Sequence, residues 1–211
     1  MGGLPRDALL RRPARQHRVR GPALTHDTIV LLAVLGVVGQ VIAGLLILVG
    51  LGWLFRLRSP GDWLRRILEG YELWLVFLVS SIATAGSLFF SEIAGFIPCE
   101  LCWYQRICMY PLTITSLLAA LANDRRMARY LLPLPLVGAG VSVYHLLVEN
   151  GVVEQAKACL LSAPGGCATK WINEFGYMTI PTLALTGFVL CAAFLLLGAA
   201  PPMSTATVSE R

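Results

Sequence analysis

The chain has 211 residues, of which 56% are hydrophobic and only 14% charged, with a formal charge of +5. Soluble domains carry about 25% charged residues, and disordered chains pair high charge with low hydrophobicity, so both classes are excluded. A small multi-span membrane protein remains.

In chain order, a basic tail (residues 1–27) holds Arg6, Arg11, Arg12, Arg15, Arg18 and Arg20. Five apolar stretches follow, Thr28–Phe55, Tyr71–Phe90, Trp103–Ala122, Tyr130–Val148 and Met178–Ala199. Each has about the 20 residues that a helix needs to cross the hydrocarbon core. Thr179-Ile180-Pro181 opens the last, where a proline costs no backbone hydrogen bond. The expected fold is an all-α integral membrane protein, a four-helix transmembrane bundle (71–199) with an additional N-terminal hydrophobic segment and basic loop (28–70) and a C-terminal tail (200–211).

The connections alternate in charge. Residues 56–70 carry Arg56, Arg58, Arg65 and Arg66, and residues 123–130 carry Arg125, Arg126 and Arg129. Residues 91–102 carry no Lys or Arg, and residues 149–177 carry only Lys157 and Lys170. Basic residues that bracket apolar runs mark topology and lipid contact, not a nucleic-acid surface. The two basic loops therefore face the cytoplasm and the other two face outward. The first apolar stretch conflicts with this scheme: a full crossing puts the Arg-rich tail outside, whereas a re-entrant path, for which Gly36, Gly39, Gly44, Gly50 and Gly52 offer flexibility, keeps it inside.

Six cysteines sort cleanly by topology. Cys99 and Cys102 lie in one outward loop, Cys159 and Cys167 in the other, and Cys108 and Cys191 inside spans, where they read as small packing residues. Three readings compete for Cys99-Glu100-Leu101-Cys102. It is half of a four-thiolate metal site completed by Cys159 and Cys167, a structural staple, or a redox pair. The seven residues between Cys159 and Cys167 exceed the usual zinc spacing of two to four.

Context favours redox chemistry. Cys102 is expected at the start of a helix, where free N–H groups and the helix dipole favour a thiolate. Arg106 follows one turn later and suits a thiolate or an anionic oxygen, beside a Trp103-Tyr104 platform. Glu100 opposes the anion. His145, next to Tyr144 near the end of a span, is a functional candidate because a buried ionisable group is costly, and Gln105 is read the same way. Glu92 and Glu149 are expected as solvated span ends, and Trp53, Trp63, Trp74 and Trp171 as interfacial aromatics.

The run Pro98-Cys99-Glu100-Leu101-Cys102-Trp103-Tyr104-Gln105-Arg106 resembles the signature of the DsbB/BdbC disulfide bond formation family. Met109-Tyr110-Pro111-Leu112, Tyr144-His145, Phe175-Gly176 and Thr179-Ile180-Pro181 extend the likeness over about residues 71–198, and the short Cys159-to-Cys167 spacing is closer to the BdbC branch. The family pattern leaves residues 1–55 unaccounted for. The resemblance implies a thiol:quinone oxidoreductase of the bacterial cytoplasmic membrane. Its cysteine loops lie outside, and it reoxidises a DsbA/BdbD-like thioredoxin-fold partner and passes electrons to ubiquinone or menaquinone, with no metal. It further implies disulfide pairing within 99/102 and within 159/167. In that scheme Cys159 receives the partner's thiolate, Cys167 attacks Cys99, and Cys102 faces the quinone beside Arg106, with Gln105 and His145 as further quinone-site candidates. The cysteine loop at 159–167 is expected to be mobile and accessible. Two alternatives stay open: a vitamin K epoxide reductase-like enzyme, against which the early position of the Cys-x-x-Cys argues, and a non-enzymatic membrane protein whose disulfides staple its loops.

Overall fold

The computed structural model describes residues 22–54, 66–163 and 165–199. The six tail arginines, Arg56, Arg58 and Arg65, the Trp63 indole and the 200–211 tail lie outside the described residues, as does the Trp53 side chain. Within them the chain is helical: α1 (Pro22–Leu54), α2 (Glu72–Leu88, running into a π-helical turn at Phe89–Ile93), α3 (Glu100–Leu121), α4 (Met127–Leu131), α5 (Pro133–Glu149), the short α6 (Lys157–Ser162) and α7 (Ile180–Ala199). A 3₁₀ turn, Gly166–Ala168, separates α6 from α7.

Among the described residues, four helical stretches are long and apolar enough to cross a membrane: Thr25–Gly52, Glu72–Ile93, Met127–Glu149 and Ile180–Ala199. α3 has 22 residues but is the least apolar of the long helices, because Glu100, Gln105 and Arg106 sit in its first two turns. It takes its place in the bundle by packing. α2, α3, α5 and α7 form a ring in which neighbours touch along their length, and α1 lies outside the ring against α7. The fold is thus an all-α, four-helix transmembrane bundle with an additional N-terminal hydrophobic helix.

The interior is closed by small residues, as expected where lipid is as apolar as the core and association depends on close packing. Ser80, Ser116 and Ser142 are fully buried, as are Val76, Leu112, Phe188 and Leu195. Cys108 and Cys191 belong to this core, as their sequence positions suggested. At Gly138 the α5 backbone lies directly on the Phe188 ring of α7, and a Cβ there would collide with three of its carbons. Leu45, Leu48, Ile114, Leu118, Leu136 and Leu196 point outward and are exposed, the pattern of lipid-facing surface.

The glycines of the first apolar segment do not interrupt it. α1 is one continuous helix of 33 residues, about 50 Å long, which exceeds the roughly 30 Å hydrocarbon core. Its glycines serve close packing instead: Gly36 meets Leu183 and Met178, and Gly39 meets Thr186 and Leu190, so α1 runs parallel to α7. The start of α1 therefore lies at the end of the bundle that carries the cysteines. At the opposite end Arg125 bridges Glu69 (3.0 Å) and the buried Glu72 (2.7 Å), and Gly198 packs on Glu72.

Replacement of Gly138 by Ala is expected to lower stability in detergent by about 1–3 kcal/mol through overpacking. The smaller ring site of a Gly138→Ala/Phe188→Leu double variant should recover part of that loss. Thermal unfolding of the three proteins checks this, and an unchanged midpoint in Gly138→Ala would contradict the contact.

Candidate active site

The site is built on the N-terminus of α3. Four backbone N–H groups at a helix start lack partners within the helix. Here Cys99, in extended conformation, is the N-cap, and its sulfur accepts from the Cys102 N–H (3.4 Å). The helix begins at Glu100, three residues earlier than the apolar pattern indicated. The capping sulfur is consequently Cys99, while Cys102 lies in the first turn.

Cys99 and Cys102 are unbonded, with their Sγ atoms 2.9 Å apart. The Cys99 sulfur is also 3.7 Å from His145 Nε2. Hydrogen bonding from the Cys102 thiol, opposed by burial and reinforced by His145, pulls the Cys99 thiol down to about 4. The hydrogen bond and His145 thus favour negative charge on Cys99 over Cys102.

His145 is oriented by a chain of donors. The Ser142 hydroxyl donates to Gly138 O (2.8 Å), so its oxygen accepts from Gln105 Nε2 (3.1 Å). Gln105 Nε2 also lies 3.5 Å from His145 Nδ1, which leaves Nε2–H to point at Cys167 O (3.1 Å) and the Cys99 sulfur. The ring is fixed between the two cysteine loops. Arg106 turns the other way, its Nε donating to Ser87 Oγ (2.9 Å) and one terminal nitrogen to Ser87 O (3.0 Å) on α2, with its guanidinium 5.1 Å from the Trp103 ring centre.

Cys159 and Cys167 form a disulfide. Cys167 follows Gly165 and Gly166, both at positive φ (81° and 70°), a backbone that glycine adopts without strain. Gln155 Oε1 accepts from the Cys167 N–H (3.0 Å) in the space that a Cβ on Gly166 would fill. α6 docks on the start of α3, since the Glu100 N–H donates to Ser162 Oγ (3.1 Å) and the Ser162 hydroxyl donates to Cys159 O (2.9 Å). The pair is not on an accessible loop, because Cys159 and Cys167 are 2% and 1% exposed, and both share one apolar cluster with Cys99, Leu101 and Val148. Their burial follows from the docking of α6.

A cavity of about 310 Å³ opens beside Cys102. Its walls are mostly apolar, and Ser87, Cys102, Gln105 and Arg106 lie together among its polar lining residues, with Ser91, Tyr110 and Thr186 as the others. His145 does not line it. That ring lies in a narrow crevice on the other side of the cysteine pair, with Cys99, Glu149 and Cys167. Cys102 borders both spaces. Ser87 escaped the sequence reading, and Glu149 lies elsewhere than it indicated. Ser87 anchors Arg106 from a helix 19 positions away and carries no motif. Trp171, expected as an interfacial aromatic, stacks on Phe96 (5.2 Å, 19°), which stacks on Phe90 (6.0 Å, 18°), at one side of the cavity. Glu149 is buried and accepts from the Thr179 hydroxyl (3.1 Å) instead of lying in solvent.

The four-thiolate metal set is not assembled, since two of its sulfurs are bonded to each other. A smaller donor set does converge, Cys99, Cys102 and His145, with ligand atoms within 4.8 Å of one another. Such a set suits a soft cation only while both sulfurs are reduced.

Comparison with known proteins decides the family. Residues 71–198 match the family described as disulfide bond formation protein DsbB. The chain belongs to the DsbB family. Disulfide bond formation protein C of Bacillus subtilis (strain 168) is 44% identical over 137 residues, 63% of this chain and 93% of the relative. A probable disulfide formation protein of Deinococcus radiodurans is 42% identical over 133 residues (59% and 86%), and one of Metapseudomonas resinovorans is 36% identical over 126 residues (59% and 87%). No solved structure matches the chain. This DsbB-family chain is a multi-pass membrane disulfide formation protein with an oxidoreductase role. α1 lies outside the matched residues.

Because the folded Cys99 value lies below that of an ordinary thiol, the thiolate persists as pH falls and is lost only near pH 4. In reduced protein, alkylation of Cys99 followed by mass spectrometry should therefore show a rate midpoint near 4, moved upward in His145→Ala. A midpoint in the ordinary thiol range in both proteins would refute the assignment.

Proposed function

We propose that the protein is a thiol:quinone oxidoreductase of the bacterial cytoplasmic membrane that reoxidises an extracytoplasmic thioredoxin-fold dithiol protein. The observation that carries this reading is the position of Cys102, which borders both the crevice beside the Cys159–Cys167 disulfide and the apolar cavity. A relay that ends in the bilayer needs its last sulfur at such a boundary. Arg66, Arg125, Arg126 and Arg129 lie at the end of the bundle opposite the cysteines, which favours an outward orientation of the cysteine end.

Exchange proceeds by thiolate attack on a disulfide sulfur. A partner thiolate attacks Cys159, breaking its bond to Cys167 and releasing the Cys167 thiolate. Cys167 then attacks Cys99 of an oxidised Cys99–Cys102 pair, and Cys102 leaves as a thiolate beside Arg106. The partner's second thiol displaces Cys159, and Cys159 displaces Cys99 from Cys167 and restores its own disulfide. The balance is one partner disulfide formed and two electrons held on Cys99 and Cys102 with one proton between them, the second proton having left when the partner's thiolate formed.

The cavity fits a quinone in shape and chemistry, with apolar walls for a lipid tail and Cys102, Gln105 and Arg106 at one end for a polar ring. Ubiquinone or menaquinone would supply a two-electron, two-proton acceptor there, a chemistry that belongs to the cofactor. Arg106, held by Ser87, places positive charge at that end, and Gln105 presents an amide to the cavity while orienting His145. His145 serves Cys99: its Nε2–H stabilises the thiolate and holds the Cys167 loop against it. A partner reaches Cys159 only after α6 lifts from α3, and Leu161, 88% exposed on α6, offers that partner an apolar contact.

Purified protein in detergent, given a reduced dithiol donor, should reduce quinone, and Cys102→Ser should abolish turnover while still accepting a partner adduct at Cys159. Absence of turnover with ubiquinone and menaquinone analogues, in protein shown by mass to carry two intact disulfides, would instead support stapled loops.

A further inference from the structure

α1 lies outside the residues that match the DsbB family, yet it is docked too closely to be only an anchor. A Cβ on Gly39 would stand 3.1 Å from Thr186 and 3.2 Å from Leu190, and one on Gly36 would collide with Leu183. Gln40 accepts from the Tyr177 hydroxyl (3.0 Å), and Leu32 reaches α2, 3.4 Å from the position of a Cβ on Gly86. These contacts fix α1 in one register against α7 and α2.

In that register two to three turns of α1 form one wall of the cavity, through Leu32, Leu35, Val38, Gly39 and Ile42. Leu35, Gly39 and Ile42 follow the i, i+4, i+7 spacing of a single helix face. The wall is wholly apolar, and Leu35, Val38 and Ile42 are 43%, 50% and 41% exposed, so they stand where the cavity opens sideways to lipid. The polar end, at Ser87, Cys102, Gln105 and Arg106, belongs to α2 and α3.

We infer that α1 is the tail-binding wall and lateral mouth of the acceptor site, so that it selects membrane quinones by their isoprenoid chain while α2 and α3 receive the ring. This rests on the quinone reading above. Without α1 the α7 side of the cavity would lie open to lipid, and tail and bilayer would compete on equal terms. With α1 in place the chain is held between two protein surfaces.

The test has two arms. In the first, the unmodified protein is irradiated with a quinone bearing a diazirine on its isoprenoid chain, and the labelled peptides are mapped. Label is expected within residues 32–42, and label on α2 or α3 with none on α1 overturns the inference. The second arm compares Leu35→Trp/Ile42→Trp with wild type, using a long-tailed quinone and a tail-less analogue. Loss of tail contacts should raise KM for the long-tailed quinone about tenfold. kcat for both, and KM for the tail-less analogue, should stay within about twofold. Equal KM shifts for the two quinones, or none, overturn the inference. The labelling arm stands even if the tryptophan pair fails to fold. Wild-type protein that reduces no quinone and takes no label defeats the acceptor reading itself, a different outcome from reduction that ignores α1.

Discussion

Everything in the cysteine end hangs on the unpaired N–H groups at the start of α3. A helix that begins at the membrane surface needs acceptors there, and this one takes a thiol sulfur, Cys99, and a serine oxygen, Ser162. The first choice places a sulfur in the field of a helix N-terminus, where negative charge is favoured. The second ties the disulfide-bearing α6 to the same turn. A capping requirement thereby brings both cysteine pairs together, and His145 from α5 closes the gap by touching Cys99 and the Cys167 carbonyl.

The polar residues of α3 explain how such a site is tolerated in a bundle. Cys99, Cys102, Gln105, Arg106 and Met109 recur at spacings of three and four, so they occupy one helix face. That face points into the protein, and each polar group on it finds a partner: Gln105 uses Ser142 on α5, and Arg106 uses Ser87 on α2. Unpaired, either group would carry a heavy desolvation cost in an apolar interior. α3 is the least apolar long helix for this reason, and its ring neighbours α2 and α5 cover that face.

The two ends of the bundle do different work. At the end away from the cysteines, the Arg125 bridges to Glu69 and Glu72 and the tight seat of Gly198 on Glu72 bind the ring together. At the cysteine end, packing is interrupted by a cavity and a crevice that meet at Cys102. Close contact in the middle, such as Gly138 on Phe188, lets one end stay open without loosening the other.

Much of this protein was legible in the chain. Apolar runs of spanning length, the charge of the loops and the sorting of the cysteines are local properties, and the Arg106 offset from Cys102 follows from helical spacing alone. The choice between a bent and a crossing first segment was not legible. Glycine permits either path in isolation, and in the structure the segment is one continuous helix with Gly36 and Gly39 in close contact with α7. Which sulfur caps α3 depended on a helix start three residues from where hydropathy placed it, because capping is set by backbone geometry and not by apolarity. The contact of His145 with Cys99, the Ser87 anchor, the Trp171 stack and the burial of Cys159 and Cys167 join residues far apart in sequence. Periodicity carries no signal for such pairs; only the packing of helices from different parts of the chain decides them.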